Sequence, residues 1–589
     1  MKRATSLLMA SVLAGCIASC SSEKRMPRHR IVTNPINLNY RFQPKDESRR
    51  EAADPVLEYF KGYYYLFASK SGGYWRSEDL ADWEYIPCTT IPTLEDYVGR
   101  PLRPSSVCRS FFSSSISLED YAPTILPVGD TLYFTASSGK TQIFKNAHPE
   151  KDAWEPVDTK LTYRLHDPAF YRDDDGKVYM YWGCSDKDPI MGVEVDPKDG
   201  FRAIGEARAL IEHHGDKYGW EVPGKNNEEP RQGWNEGPCM LKYEGRYYLQ
   251  YAAPGTQYRI YGDGIYVGDN PLGPFEYMED NPFSFKPGGF IGGAGHGHTF
   301  QDKYGNYWHV ASMTISVRHS FERRLGLFPV AISARNGMYA HTAWSDYPFY
   351  IPDKKVDFNK TDLSMGWNLL SFRKPVSASS SLPGYEPDKA NDEQIETWWA
   401  AQTGKKGEWL QIDMETPVTV NAIHVNFADH HFKVFAPHPP VVYQFLIEGS
   451  ADGKEWMNLV DERENKKDEP HRLFTLDKPA KLRYLRISNS KELEGCFSLS
   501  GFRIFGKGEG TAPSAVTGFR AIRDDSDRRI YRFTWDAQAG ATGYILQWGT
   551  QKDKLTHSVT VYDNQYEARY FNRDSEYYFS IKAFNENGN

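Results

Sequence analysis

Three acids and a histidine, Asp54, Asp167, Glu236 and His296, stand out as equipment for chemistry because each opens a copy of one repeated unit. In the third copy His166-Asp167-Pro168 leads into Ala169-Phe170-Tyr171, then a turn at Asp175-Gly176, then the run Val178-Tyr179-Met180-Tyr181-Trp182. Asp54-Pro55, Ala122-Pro123, Glu236-Gly237-Pro238 and Gly295-His296-Gly297-His298 head four other copies on the same plan. Two carboxyl groups set across one bond can protonate a leaving oxygen and activate a water. On an acetal such as a glycosidic bond, action through water needs the wider carboxyl separation and inverts the anomeric centre. Crowded carboxylates also raise the pKa of at least one of their number, which suits it to be the acid.

These acids lie far apart along the chain, so the fold must gather them. An apolar run, a glycine turn and a second β-rich run predict a hairpin in each unit. The copies begin about 45 to 70 residues apart, the length of a four-stranded sheet with loops, which is the period of a β-propeller blade. Five copies predict five blades over residues 46–352. Radial repetition then brings Asp54, Ala122, Asp167, Glu236 and His296 to one mouth of the axial channel. Singly these acids carry little information, since aspartate before proline is ordinary turn chemistry. Asp173, Asp174 and Asp175 are more conspicuous, but they fall at a hairpin turn and are expected to be a solvated loop. The stretch 218–234, rich in Gly, Pro, Asn and Glu, is expected to loop over the mouth, where substrate contacts are often carried.

At 589 residues the chain is too long for one domain. A net charge of −8 with interspersed signs offers no face for nucleic acid. An aromatic content of 14% with few helical stripes favours an all-β protein with surfaces that stack on sugars. Residues 1–20 read as a lipoprotein signal peptide, with Lys2-Arg3, an apolar run too short to span a bilayer, and cysteine boxes ending at Cys16 and Cys20. Cys20 is preferred, because Cys20-Ser21-Ser22-Glu23-Lys24 resembles the start of surface lipoproteins of Gram-negative gut bacteria. An acyl anchor implies the membrane as a partner and export to the outer membrane, cell surface or periplasm. Residues 21–45 are then a polar leader. Cys88 and Cys108 could pair in an exported protein, but buried thiols are preferred for these two and for Cys184, Cys239 and Cys496.

Ala53-Asp54-Pro55, His166-Asp167-Pro168 and Asn235-Glu236-Gly237-Pro238, each heading a blade in this order, resemble the family 43 glycoside hydrolases across the whole propeller region. The resemblance implies an inverting, exo-acting enzyme that removes arabinofuranosyl or xylosyl units from plant polysaccharides. It implies Asp54 as general base, Asp167 as the group that tunes and orients the acid, and Glu236 as general acid. Gly295-His296 resembles the family's fifth-blade motif, which implies a calcium ion or water cluster near His296 on the axis, with no organic cofactor. His298 shares that strand face, and a packed histidine is the competing reading; one histidine is weak support for a hard cation. Trp75, Tyr121, His166 and Trp234 are candidates to contact the sugar, although aromatics also fill propeller cores. Either Arg323 or Arg324 could bind the sugar or the acid, and Arg324 is taken here. Tyr121 departs from the family's commoner Trp-Ala-Pro motif in blade two, which weakens transfer of the substrate.

After residue 352 the pattern changes. Thr397-Trp398-Trp399-Ala400, Glu408-Trp409-Leu410-Gln411-Ile412-Asp413, Tyr484-Leu485-Arg486-Ile487 and Leu499-Ser500-Gly501-Phe502-Arg503 resemble the discoidin (F5/8 type C) domain over residues 353–508. That implies a jelly-roll sandwich, with His430, His431 and Phe432 as candidate glycan contacts. Val516-Thr517-Gly518-Phe519, Tyr531-Arg532-Phe533-Thr534-Trp535 and Tyr577-Tyr578-Phe579-Ser580 resemble a fibronectin type III module over 512–589, expected to lack its last strand and to serve as a spacer. The expectation is thus an all-β chain: a five-bladed propeller, a jelly-roll sandwich and a small fibronectin-like sandwich. The rival readings are a galactosidase, a fructan- or mannoside-active propeller enzyme or phosphorylase, and a non-catalytic surface protein that binds glycans.

Overall fold

The computed structural model describes residues 30–43, 49–91, 121–138, 141–333, 337–434 and 440–589. Cys16, Cys20, Cys108 and the signal peptide lie outside the described residues. No α-helix occurs among those described, so the chain is built from strands. No helix is long and apolar enough to cross a membrane.

Five antiparallel sheets follow one another in chain order, four of them four-stranded and the fourth five-stranded, because Cys184–Ser185 adds beside its innermost strand. Their innermost hairpins are Ala53–Phe60 with Tyr63–Ser69, Thr124–Val128 with Thr131–Thr135, Ala169–Arg172 with Val178–Trp182, Asn235–Tyr243 with Arg246–Ala253, and Gly292–Gln301 with Tyr307–Thr314. A sheet in a propeller is covered on both faces, and its strands are accordingly apolar on both sides; Val178–Trp182 is buried throughout. The apolar side chains cluster between successive blades. Val56, Phe67 and Tyr74 of blade one meet Ile125, Phe134 and Trp154 of blade two. Blades four and five meet through Tyr248, Ile265, Met313 and Phe328. Blades five and one meet through Val310, Leu325, Leu57 and Leu66, which closes the ring.

Two expectations are corrected here. The polar leader was drawn too long: Ile36, Leu38 and Tyr40 are buried in the cluster that closes the ring. Asn34 trades side-chain hydrogen bonds with Leu327, donating at 2.9 Å and accepting at 2.9 Å, so this segment is a structural strap. Asp173 is not a solvated turn residue. It is buried and accepts from Lys242 Nζ at 2.7 Å and Tyr247 Oη at 2.6 Å, tying blade three to blade four. Asp174 and Asp175 are exposed, as expected.

The second domain is a β-sandwich organised on two long strands, Trp409–Phe427 and His471–Asn489, which pair antiparallel with register shifts that let each serve both layers. It is fastened to the propeller by buried charge. Arg50, fully buried, donates from Nε to Asp429 at 2.8 Å and pairs with Asp468 at 2.7 Å. Phe432 lies in the sandwich core, and His430 is buried against Tyr385 and Trp398. Of the three loop candidates for glycan binding, His431 alone is exposed.

The third unit is two three-stranded sheets, Arg520–Arg523, Tyr531–Thr534 and Gln565–Ala568 against His557–Val561, Gly543–Gly549 and Tyr578–Phe584. Tyr531, Phe533 and Trp548 share one apolar cluster with Trp220, Met240 and Tyr251 of the propeller. A spacer would have its own core; this unit shares one.

Candidate active site

The innermost hairpin of every blade carries the same irregularity. In blade one Ala53 pairs with Ser69 and Val56 with Phe67, so three steps on one strand face two on the other and Asp54-Pro55 forms a β-bulge. Blade four repeats it with Glu236 opposite Ala252 and Cys239 opposite Gln250; blade five does so with Gly295 opposite Ser312 and His298 opposite Val310. In blades two and three the Ser137 and Gly183 N–H groups donate to the carbonyls of Tyr121 and His166, which closes the same step. The first bulged residue is left-handed in all five blades: Asp54, Ala122, Asp167, Gly237 and His296 have φ between 45° and 59°. Four of these are not glycine, and backbone of this kind costs roughly 1–2 kcal/mol per residue. Gly237 has its own reason, since a Cβ there would meet the His296 ring at 2.6 Å.

The bulge corrects the sequence-derived alignment. Gly237, not Glu236, is equivalent to Asp54 and Asp167. Glu236 stands one residue earlier, in register with Ala53, Tyr121, His166 and Gly295. Successive strand residues project to different sides, so the mouth has two tiers. Asp54, Asp167 and His296 form the axial tier, and Glu236 belongs with Tyr121 and His166.

A side chain from the preceding blade pins four of the five left-handed residues. Ser312 Oγ accepts the Asp54 N–H at 2.7 Å, Ser69 Oγ that of Ala122 at 2.7 Å, and Ser137 Oγ that of Asp167 at 3.0 Å. In blade five Asp263 takes this part, accepting the His296 N–H at 2.7 Å. The bulge that exposes each functional side chain is thereby also the joint between blades.

Asp54 is held as an anion. Its Oδ1 accepts from Arg323 Nη1 at 3.0 Å and its Oδ2 from Ser69 Oγ at 2.6 Å. Burial alone would raise its pKa, but Arg323, His296 and the serine hydroxyls together lower it below the usual aspartate range. Asp167 goes the other way, pushed up to about 7: burial raises it, His296 pulls it down, and the charges of Glu236 and Asp54 raise it again. Crowding contributes to this shift, but burial is its largest cause, and the carboxyl concerned is Asp167. Its oxygen lies within 4.8 Å of ligand atoms of both Cys184 and Glu236. Glu236, half-buried, accepts from Tyr261 Oη at 2.6 Å and from Cys184 Sγ at 3.3 Å. Burial and the two acids push the Cys184 thiol well up, so it is a protonated donor. Two aspartates of one mouth are thus shifted in opposite directions, Asp54 down and Asp167 up.

His296 sits between the acids, with Nδ1 at 3.4 Å from Asp54 Oδ1 and 3.6 Å from Asp167 Oδ2. Burial lowers its pKa, but the surrounding carboxylates outweigh that and the net shift is upward. Its Nδ1 thus faces two carboxylates as an ion-pair partner, and one nitrogen is weak support for calcium, which prefers oxygen. The acid–thiol group is no better a cage, because calcium takes six to eight oxygens and a protonated thiol supplies none.

Two predicted contacts lie elsewhere. Trp75 is 1% exposed, donates to Asn39 Oδ1 at 2.7 Å and packs among Tyr40, Leu66 and Tyr85, so it is core. Arg324 is buried at the interface with the second domain, where Nε bonds His471 Nε2 at 2.9 Å. Neighbours in the strand Arg323–Ser333 point oppositely, and Arg323 is the one at the site, bridging Asp54, Thr256 and Glu51. Tyr121 and His166 are at the mouth, and the buried His166 Nε2 has no partner among the described residues. Trp234 is 37% exposed on the loop that leads into Glu236. Sequence reasoning missed Tyr261, Asp263, Cys184 and Phe321. Phe321 is 36% exposed and lies under the Arg323 guanidinium at 5.1 Å.

Residues 48–337 match the family profile "Glycosyl hydrolases family 43" and residues 375–500 match "F5/8 type C domain". The chain is similar to a β-D-galactofuranosidase of Aspergillus niger, 26% identical over 38% of this chain and 62% of that protein. It is also similar to a β-xylosidase of Xylanibacter ruminicola, 29% identical over 19% of this chain and 39% of that one. Matched stretches thus span under two thirds of these relatives' own length. A solved glycoside hydrolase aligns over 77% of this chain and 97% of its own, with 20% identity and a TM-score of 0.43. The chain carries a family 43 glycosyl hydrolase domain, with an F5/8 type C domain behind it.

Proposed function

We propose that the propeller is an inverting glycoside hydrolase that removes arabinofuranosyl or xylosyl units from plant polysaccharides, acting from chain ends. The observation that carries this reading is the split between carboxyl groups at one mouth: Asp54 paired with Arg323 and shifted down, beside an Asp167–Glu236–Cys184 group in which burial pushes Asp167 up to about 7. In this reading Asp54 accepts a proton from water while Glu236, the more exposed acid, protonates the leaving oxygen. Asp167, more buried and hydrogen-bonded to Ser137, keeps that proton in place. His166, Tyr121, Trp234 and Arg323 are the side chains placed to meet the sugar. The donor set does not suit calcium held directly by His296, so no step uses a metal. The galactofuranosidase and β-xylosidase relatives point to five- and six-membered glycosyl rings alike.

The C-terminal sandwich, with Trp535 buried between its two three-stranded sheets, is read as a fibronectin type III-like module. The lipid anchor on Cys20 rests on the sequence pattern of residues 1–24; Cys20→Ala should release the protein from the membrane fraction. The enzymatic reading is tested with aryl arabinofuranosides, xylosides and galactosides. Wild type should release aglycone from at least one, and Glu236→Gln should not. Turnover by neither protein on any of them, or equal turnover by both, would refute it.

A further inference from the structure

The stretch 212–234, which ends at the acid of blade four, is bound along its middle by the C-terminal sandwich. Arg573 N–H donates to the Lys217 carbonyl at 2.7 Å, Gly219 N–H to that of Phe571 at 3.0 Å, and the Arg529 guanidinium to that of Gly215. The approach at Gly219 is close enough that a Cβ would meet the Arg569 carbonyl at 2.2 Å. Beyond this contact the two parts separate and leave a cleft of about 480 Å³, lined by Asn227, Glu228 and Gln232 from the loop and by Asp527, Arg529 and Arg569 from the sandwich.

Asn227 is 5% exposed, and its orientation is fixed because Nδ2 donates to the carbonyls of Val222 at 2.7 Å and Trp220 at 3.3 Å. That leaves Oδ1 as a buried acceptor with no donor among the described residues. Native structures seldom leave such an atom unsatisfied, and because it is sealed in the cleft wall, a donor reaches it only when a neighbouring side chain shifts. Most charges of the cleft are paired: Arg529 with Asp527 at 2.6 Å, Arg231 with Glu229 at 2.7 Å and Arg569 with Glu567, behind the wall, at 2.8 Å, while Asp216 and Glu228 add negative charge. A wall of paired, planar polar groups with a slight acidic excess offers donors and acceptors to hydroxyls and repels a phosphate or carboxylate. Gln232 is four residues from Glu236, so their backbones are at most roughly 14 Å apart. A chain with its scissile bond at Glu236 reaches the cleft within a few sugar units.

We propose that this cleft is a distal subsite for a neutral glycan chain, continuous with the catalytic mouth, and that the C-terminal sandwich is therefore part of the substrate site. The proposal builds on the glycosidase reading above. The double variant Gln232→Ala/Arg569→Ala should lower the ratio of kcat/KM on arabinoxylan to kcat/KM on an aryl glycoside by about fivefold or more, through KM, as loss of one or two hydrogen bonds requires. An unchanged ratio would overturn the proposal. Affinity electrophoresis in gels containing arabinoxylan or linear arabinan supplies a readout that needs no turnover. Glu236→Gln protein should be retarded, and the same protein carrying Gln232→Ala/Arg569→Ala should run free. Equal retardation of the two, or none of either, would overturn the subsite. Wild-type failure on every glycoside would instead refute the enzymatic reading and leave the electrophoresis to decide the cleft.

Discussion

Asp54 accepts from a guanidinium and a serine hydroxyl, whereas Glu236 accepts from a phenol and a thiol. A cationic donor stabilises the ionised form of Asp54, whereas the phenol and thiol on Glu236 are neutral, so the two carboxyl groups stand in different fields. Asp54→Asn and Glu236→Gln should each lower kcat on an aryl glycoside about 10³-fold, within the usual range for a lost proton-transfer group. Near-normal kcat in either, with folding confirmed by circular dichroism, would show that the role is misassigned. Above about pH 7 Asp167 is a negative neighbour that favours protonation of the acid, so in Asp167→Asn the basic limb of the pH–rate profile should move to lower pH. Movement to higher pH would show that Asp167 acts otherwise. The three acids were legible because repetition marked them out. Arg323 was not, because two adjacent arginines in a strand face opposite ways and strand register alone decides which one meets Asp54. Tyr261 and Asp263 were missed because they lie near the third strand of a blade, outside the repeated opening.

At the scale of elements, the recurring bulge does two things at once: it turns an opening side chain into the mouth and hands its N–H to the neighbouring blade. Ser137→Ala strips a buried N–H of its acceptor and should cost about 1–3 kcal/mol, read as a lower denaturation midpoint. No change would mean that the serine joints are incidental. The mouth loop carries Glu221, fully buried, accepting from Tyr251 Oη at 2.5 Å, with its pKa pushed up to about 8 by burial. An acid whose folded pKa is raised gives its full contribution below the ordinary value of 4.5 and loses it as pH rises through about 8. Thermal stability should therefore fall between pH 5 and about 9 in wild type and fall less in Glu221→Gln; parallel curves would contradict this. Hairpins were legible from alternation and glycine turns. The bulge was not, since it shifts register by one residue without changing composition, and Glu236 was accordingly placed one position out.

Over the whole molecule, buried ion pairs and shared apolar clusters join the three units. Arg50 meets Asp429 and Asp468 from across the domain boundary, and Arg324 meets His471 there. Arg50→Ala strands two buried carboxylates and should cost roughly 3–5 kcal/mol, with calorimetry resolving the second domain's transition from the propeller's. Transitions unchanged from wild type would mean that this pair does not hold the interface. The order of units was readable, because each has its own strand spacing and turn signals. Their docking was not, since Arg50, Arg324 and the strap at Ile36–Tyr40 look like ordinary polar or apolar residues until their partners hundreds of residues away are known. All of the functional account depends on water, activated by Asp54, entering from the side opposite Glu236. Proton NMR of the first sugar released from a responsive aryl glycoside tests this most directly. The account predicts initial appearance of the anomer opposite in configuration to the substrate; initial appearance of the same anomer would contradict it.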